Sequence, residues 1–333
     1  MPRAISILGA GSWGTALAIQ AARNGCDTLL WSHNSQHLES LVQLRENKRY
    51  LPNALFPESL KLSGDLQEVA SSSQIILIAV PSHAFRKTLE LIKPLLSSSS
   101  GIAWATKGFD DSSSALLSDT AKQVLGDTRA LAVLSGPTFA REVADDLPTA
   151  LTIASTSDAL SGQLIDILHN QRFRIYTSTD LVGVQIGGAT KNVLAIAAGI
   201  ADGLGFGANT RAALITRGLT EIMRLGIKLG GQPDTFMGLA GLGDLILTCT
   251  DNQSRNRRFG LALGQGKDQT QALNNINQEV EGISAAREAY QLSKRLGVEM
   301  PITEQVYKVL FEQLPPVQAV QNLLARDLKS EHS

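Results

Sequence analysis

The chain has 333 residues, with 30 Lys and Arg against 31 Asp and Glu for a net charge of −1; 43% of its residues are hydrophobic and 18% charged. At about 100–200 residues per domain this favours two folded domains, and near-neutrality removes the general electrostatic drive toward nucleic acid or anionic membrane. Aromatics at 5% argue against a base-stacking surface, and two cysteines, Cys26 and Cys249, exclude a disulfide framework or a Cys-based zinc site.

Residues 1–26 carry an early arginine and an apolar run, as a secretory leader does. Gly9, Gly11 and Gly14 interrupt that run before it reaches the length of a secretory core, so a soluble, cytoplasmic protein is expected. Ala4 to Leu8 reads as a strand, Thr15 to Asn24 as a helix, and Thr28 to Trp31 as a second strand after Gly25. Ile75 to Val80 is continuous, β-branched and closed by Pro81, the pattern of a parallel strand covered on both faces. Ile102 to Ala105, Leu131 to Leu134 and Ala150 to Ala154 continue the series. Beyond about Tyr176 helical periodicity takes over, with helices expected at Val193 to Gly203, Thr210 to Gly230, Ser284 to Leu296 and Thr303 to Leu314. The expected fold is α/β: an N-terminal Rossmann-type doubly wound sheet over residues 1–185, followed by an all-α domain over 186–333. The apolar stretch Val193 to Ala201 is stopped by Asp202, short of a membrane span.

Gly9-Ala10-Gly11-Ser12-Trp13-Gly14 is a GxGxxG between a strand and a helix. In that context the first glycine permits a tight turn and the second lets the backbone approach a pyrophosphate. The third lets helix and strand pack closely, and the helix N-terminus offers free N–H groups to an anion. A plain strand-to-helix turn is the bland alternative. The acidic residue that would grip the NAD ribose is missing, since the second strand leaves through Ser32-His33-Asn34. His33 is either a donor to a 2′-phosphate or a solvated loop residue, so NADP and NAD both remain open.

Lys107 follows a strand at the edge where open α/β sheets bind ligands, although surface lysines are common. Ser135-Gly136-Pro137-Thr138-Phe139-Ala140 follows another strand and exposes backbone amides and a hydroxyl. Lys191 opens the apolar helix after Gly187-Gly188-Ala189-Thr190. There it either snorkels to water or becomes a tunable acid/base. Asp244 shares a helical face with Thr248, or simply caps a helix. Ser254-Arg255-Asn256-Arg257-Arg258 is either a solvated basic turn or a phosphate site. Tyr290 and Lys294 fit the YxxxK spacing of short-chain dehydrogenases but lie late in a helical region, and the match is read as chance. The five histidines, His332 among them, form no HExxH, and no metal site is expected.

GAGSWGTALA at 9–18, YLPN at 50–53, AVPS at 79–82, ATKG at 105–108 and LSGPTFAREV at 134–143 occur in one order with GGATKNVLAIAAGI at 187–200, LAGLGDLILTCT at 239–250, SRNRRFG at 254–260 and EVEG at 279–282. In these motifs the chain resembles the bacterial-type NAD(P)-dependent glycerol-3-phosphate dehydrogenases over nearly its whole length. The resemblance implies interconversion of dihydroxyacetone phosphate, a small phosphorylated triose, with sn-glycerol 3-phosphate at the start of phospholipid synthesis, by a homodimer. It implies Lys191 as proton donor and acceptor, with Lys107, Gly136, Thr138, Asp244, Ser254, Arg255 and Asn256 around the substrate. It places Ser12, Trp13, His33, Lys107, Ala140, Arg255 and Glu281 on the coenzyme. Glu279 departs from the pattern, which has a hydrophobic residue there, and His33 stands where arginine is frequent.

The residues alone point the same way. A carbonyl that accepts hydride needs a proton as its oxygen becomes an alkoxide. Without a metal, a Tyr-Lys pair or a convincing His-Asp pair, a lysine is the remaining donor. Two other readings stay open: a β-hydroxyacid dehydrogenase acting on a carboxylate, which Arg255 would also bind, and a non-catalytic NAD(P)-sensing module.

Overall fold

A computed structural model describes residues 3–327; His332 and the outermost ends of the two expected domains lie outside them. The N-terminal part is built on an eight-stranded sheet in the order β10-β9-β8-β7-β6-β1-β2-β5. Its strands are β1 (Ala4–Leu8), β2 (Asp27–Trp31), β5 (Leu60–Ser63), β6 (Ile75–Ile78), β7 (Gly101–Trp104), β8 (Leu131–Ser135), β9 (Thr149–Ser155) and β10 (Phe173–Ser178). A separate antiparallel pair, β3 (Glu46–Asn47) with β4 (Leu51–Leu55), stands beside it.

Strand alternation accounts for the two covered faces. Ile5, Ile7, Ile75 and Leu77 enter one buried cluster with Leu17 and Leu164. Leu8, Ile76, Ile78 and Trp104 enter the other with Phe85 and Leu89. Pleating sends successive side chains to opposite faces, and helices on both sides bury them, which is why these strands are apolar throughout. The sheet is parallel except at one place: β9 runs antiparallel to β8, and β10 is parallel to β9. A short link through Ala140–Ala144 reverses the chain between β8 and β9, where a parallel return would need a longer crossover.

Asp180 starts the helical part by capping the Leu181–Gly203 helix, its carboxylate accepting from Gly183 N at 2.8 Å. This helix begins a dozen residues before the expected Val193. A division at 185/186 would cut it near its start, and Asp202 lies inside it. It is long and apolar enough to cross a membrane, but 89% of that stretch is buried inside the protein by surrounding helices. Four glycines let one of those helices come unusually close. A Cβ on Gly199 would overlap the carbonyl of Arg257, and one on Gly260 would overlap that of Ile196. Gly203 and Gly264 repeat the arrangement one turn further on. Each helical glycine costs about 1 kcal/mol relative to alanine, which the close backbone packing offsets. The Arg255–Gly264 helix is thereby locked against the Leu181–Gly203 helix, and its N-terminus is set beside residues 191 and 192.

Candidate active site

The glycine turn has the shape a dinucleotide requires. Gly9 sits at φ +118, and a Cβ there would meet the Ala79 carbonyl oxygen at 2.7 Å. Gly14 lies so close to the Gly9 carbonyl that a Cβ would overlap it, whereas a Cβ on Gly11 would have nothing within 4 Å. The turn is thus packed on the protein side at Gly9 and Gly14 and open at Gly11, where the pyrophosphate is expected. The Ser12–Arg23 helix presents its N-terminus to that space, and Trp13 Nε1 is buried without a partner in the protein. Ser12 Oγ donates to the Tyr50 carbonyl at 2.7 Å, so its hydroxyl ties the YLPN segment to the turn. His33 is exposed at the end of β2, tilted against Trp31 with ring centroids 6.1 Å apart. Ala140 starts the Ala140–Ala144 helix, and Glu281 immediately precedes the Gly282–Leu296 helix.

Three charged side chains from distant parts of the sequence meet at the C-terminal edge of the sheet. Lys107, just beyond β7, donates to Asp244 Oδ2 at 2.6 Å and approaches the Gly136 carbonyl at 3.4 Å. Lys191 donates to Asp244 Oδ1 at 2.5 Å and to Thr248 Oγ1 at 2.9 Å. Asp244 is only 1% exposed and Lys191 7%. The Asp244–Thr250 helix has its cap at Gly243, so Asp244 is not a helix cap; its carboxylate faces the two lysines instead. Thr248 lies one turn on, as the i, i+4 spacing suggests, and its hydroxyl donates to the Asp244 carbonyl at 2.6 Å.

Lys191 is mid-helix rather than at a helix mouth, because Gly187 and Gly188 continue the helix instead of ending it. A Cβ at Gly187 would overlap the Ala240 carbonyl, and one at Gly188 would meet Ser135 Oγ at 2.7 Å. Those two glycines bring β8 and the Leu239–Gly243 turn against the helix just before Lys191. Burial disfavours its ammonium and pushes the pKa down to about 8, although Asp244 opposes the shift and Lys107 adds to it. Asp244 is also lowered, but for the opposite reason: burial alone would raise its carboxyl, and the two lysines overcome that and hold it below the usual carboxylate range. Neighbouring Cys249 is kept a thiol, pushed up to about 12 by burial. The cluster is one fixed anion between two cations, one of which is placed to exchange a proton near neutral pH.

The SRNRR segment divides its work. Arg257 is buried and donates to Asp202 Oδ2 at 2.5 Å, to the Cys249 carbonyl at 3.0 Å and to Asn252, so it is structural. Arg258 points to solvent. Ser254 Oγ caps the helix by accepting from Arg257 N, and Asn256 Oδ1 accepts from Gly282 N at 2.9 Å. Arg255 is half-buried and donates to Gln278 Oε1 over a long 3.4 Å, with the Glu279 carboxylate also facing it. A Cβ on Gly282 would meet Asn256 Oδ1 at 2.7 Å and the Asn192 carbonyl at 2.9 Å, which places this segment beside Lys191. Thr138 Oγ1 donates to the Gly136 carbonyl at 3.2 Å, completing the wall next to Lys107. The links through Asp202 and Gly282 carry no local sequence signature. Among the described residues no group of three or more His, Cys, Asp or Glu could hold a metal.

Family models for the two halves of one protein match this chain. NAD-dependent glycerol-3-phosphate dehydrogenase N-terminus covers residues 4–161, and the corresponding C-terminus covers 180–321. A glycerol-3-phosphate dehydrogenase (NAD(P)+) of Methylococcus capsulatus is 58% identical over 332 residues, covering 99% of both chains. One from Pseudoalteromonas translucida is 56% identical over 98% of both. The crystal structure of glycerol-3-phosphate dehydrogenase from Coxiella burnetii superposes with a TM-score of 0.95 at 51% identity, covering 98% of this chain and 99% of that one.

Proposed function

The chain belongs to the NAD-dependent glycerol-3-phosphate dehydrogenase family, and from that premise we infer that it interconverts dihydroxyacetone phosphate and sn-glycerol 3-phosphate with NAD(P)H. The observation that carries this is the buried Lys107–Asp244–Lys191 cluster, set between the glycine turn and Arg255. The coenzyme supplies and accepts the hydride. Gly9, Gly11, Gly14, Ser12 and Trp13 would hold its pyrophosphate end, with His33 at the adenosine ribose and Lys107, Ala140, Arg255 and Glu281 along its length.

In the reductive direction Lys191 Nζ delivers a proton to the substrate oxygen as negative charge grows there. In oxidation the neutral amine takes the proton back. A pKa of about 8 leaves both forms accessible near neutrality. Asp244 keeps the ammonium within reach, and Lys107 adds positive charge close to the developing oxyanion. Arg255 receives the phosphate, with Gly136, Thr138, Ser254 and Asn256 shaping the rest of the pocket. In the same proposal the enzyme works in the cytoplasm as a homodimer and feeds glycerophospholipid synthesis, as the family resemblance implies. The sheet part and the helical part act as coenzyme and substrate domains.

The test follows NADPH oxidation with dihydroxyacetone phosphate beside unphosphorylated dihydroxyacetone. The phosphorylated triose should be turned over far faster. Lys191→Ala should lower kcat by two or more orders of magnitude while coenzyme affinity stays near wild type. A near-normal kcat would move the acid/base role to another residue.

A further inference from the structure

The sheet part and the helical part are joined by a pair that the chemistry above does not use. His83 is the second residue of the Ser82–Ile92 helix, which starts directly beyond β6 and the Ala79 carbonyl that packs on Gly9. It therefore stands on the wall that flanks the phosphate turn. Glu279 comes from the opposite side, in the link between the Gln269–Ile276 and Gly282–Leu296 helices. Its Oε1 lies 3.2 Å from His83 Nδ1, with both side chains about half exposed. Three titratable or charged groups face the Glu279 carboxylate: His83 from the sheet part, Arg255 from the start of its helix, and Glu281 from the same link. Burial and Glu281 raise its pKa, while His83 and Arg255 pull the other way.

We propose that Glu279 and His83 form a clasp that joins the two parts of the protein over the coenzyme cleft and slows departure of the bound dinucleotide. Position 279 is where the family resemblance leads one to expect a hydrophobic residue, which could not hold an imidazole. The clasp rests on the coenzyme reading given above, in which Arg255 takes an anionic group of the ligand. Once Arg255 is so engaged, it competes less for Glu279, and the carboxylate is left to His83. The clasp touches neither hydride nor proton, so it positions the walls of the cleft and governs release rather than chemistry.

Stopped-flow displacement of NADPH from the full-length protein, read by nucleotide fluorescence, tests this with Glu279→Gln, His83→Gln, the double variant and His83→Arg. A half-exposed pair corresponds to a two- to fivefold effect. Each Gln variant should release NADPH about two to five times faster, and the double variant no faster than the singles. His83→Arg, which keeps a hydrogen-bond donor opposite Glu279, should stay close to wild type. Single-turnover reduction of dihydroxyacetone phosphate should be unchanged in all four. Unaltered release in the single variants, multiplied effects in the double variant, or His83→Arg behaving like His83→Gln would each overturn the clasp. Failure of the wild type to bind NADPH would instead overturn the coenzyme reading beneath it.

Discussion

Asp244→Asn removes the one negative charge between two buried lysines without changing the size of the side chain. Lys191 already titrates near 8 because burial outweighs the attraction of Asp244, whose Oδ1 is 2.5 Å away. Removing one partner of a buried ion pair costs about 3–5 kcal/mol. Lys191 would then titrate well below 8, the loss falling on the ammonium form. Reduction requires that form, so the kcat of the wild type should fall as pH rises through about 8, while the variant should begin to fall at a distinctly lower pH. At pH 7 its reductive kcat should be roughly 10- to 1,000-fold down. Oxidation of glycerol 3-phosphate requires the neutral amine. Its kcat should rise through about 8 in the wild type and lose that rise near neutrality in the variant. The assay is kcat against pH in both directions, with coenzyme binding and a thermal melt confirming that the variant is folded. An alkaline limb that stays near 8 in Asp244→Asn would refute the view that this carboxylate sets the charge of the catalytic lysine.

Arg255→Ala should mainly raise KM for dihydroxyacetone phosphate, by the 10- to 150-fold that corresponds to losing a charge-assisted contact of about 1.5–3 kcal/mol. Unchanged handling of the phosphorylated substrate would place the phosphate elsewhere. Because β2 leads into Ser32-His33-Asn34 with no carboxylate, kcat/KM should favour NADPH over NADH. His33→Arg should strengthen that preference and His33→Glu should reverse it; a wild type that strongly favours NADH would sink the argument.

The parts of the molecule that could be read from the sequence are those whose cause is local. Apolar runs marked β1, β2, β6, β7 and β8 within a residue or two, sharpest where Gly9 and Pro81 end β1 and β6, and the glycine turn could be placed because a strand precedes it and a helix follows. The strands that went unread are short or half-exposed: β5 at one edge, β10 at the other, and the β3–β4 pair. The direction of β9 depends on how the chain returns after Ala144, which the apolar content of Ala150 to Ala154 does not encode. Lys107, Lys191 and Asp244 could be picked out one by one as residues at suggestive places, but their convergence joins positions 53 and 137 residues apart.

Glycine misled the reading of Lys191 for a physical reason. In a single sequence Gly187-Gly188 looks like a break, since glycine weakens a helix by about 1 kcal/mol and lacks a side chain to pack. In the folded chain that missing side chain is what the site requires. Ala240 and Ser135 approach the helix at Gly187 and Gly188, and Arg257 and Leu261 approach it at Gly199 and Gly203. The first two contacts bring the segment carrying Asp244 and the end of β8 to one side of Lys191; the latter two bring the Arg255 segment to the other. A Cβ at Gly187, Gly199 or Gly203 would overlap a neighbouring backbone carbonyl, and one at Gly188 would meet Ser135 Oγ at 2.7 Å, so a side chain at any of them would push its neighbour away. Lys191 would then have more water around it, less of its pKa depression, and no carboxylate at 2.5 Å. The glycines that read as interruptions are therefore the means by which a solvent-exposed type of side chain is enclosed and made into an acid/base near neutrality.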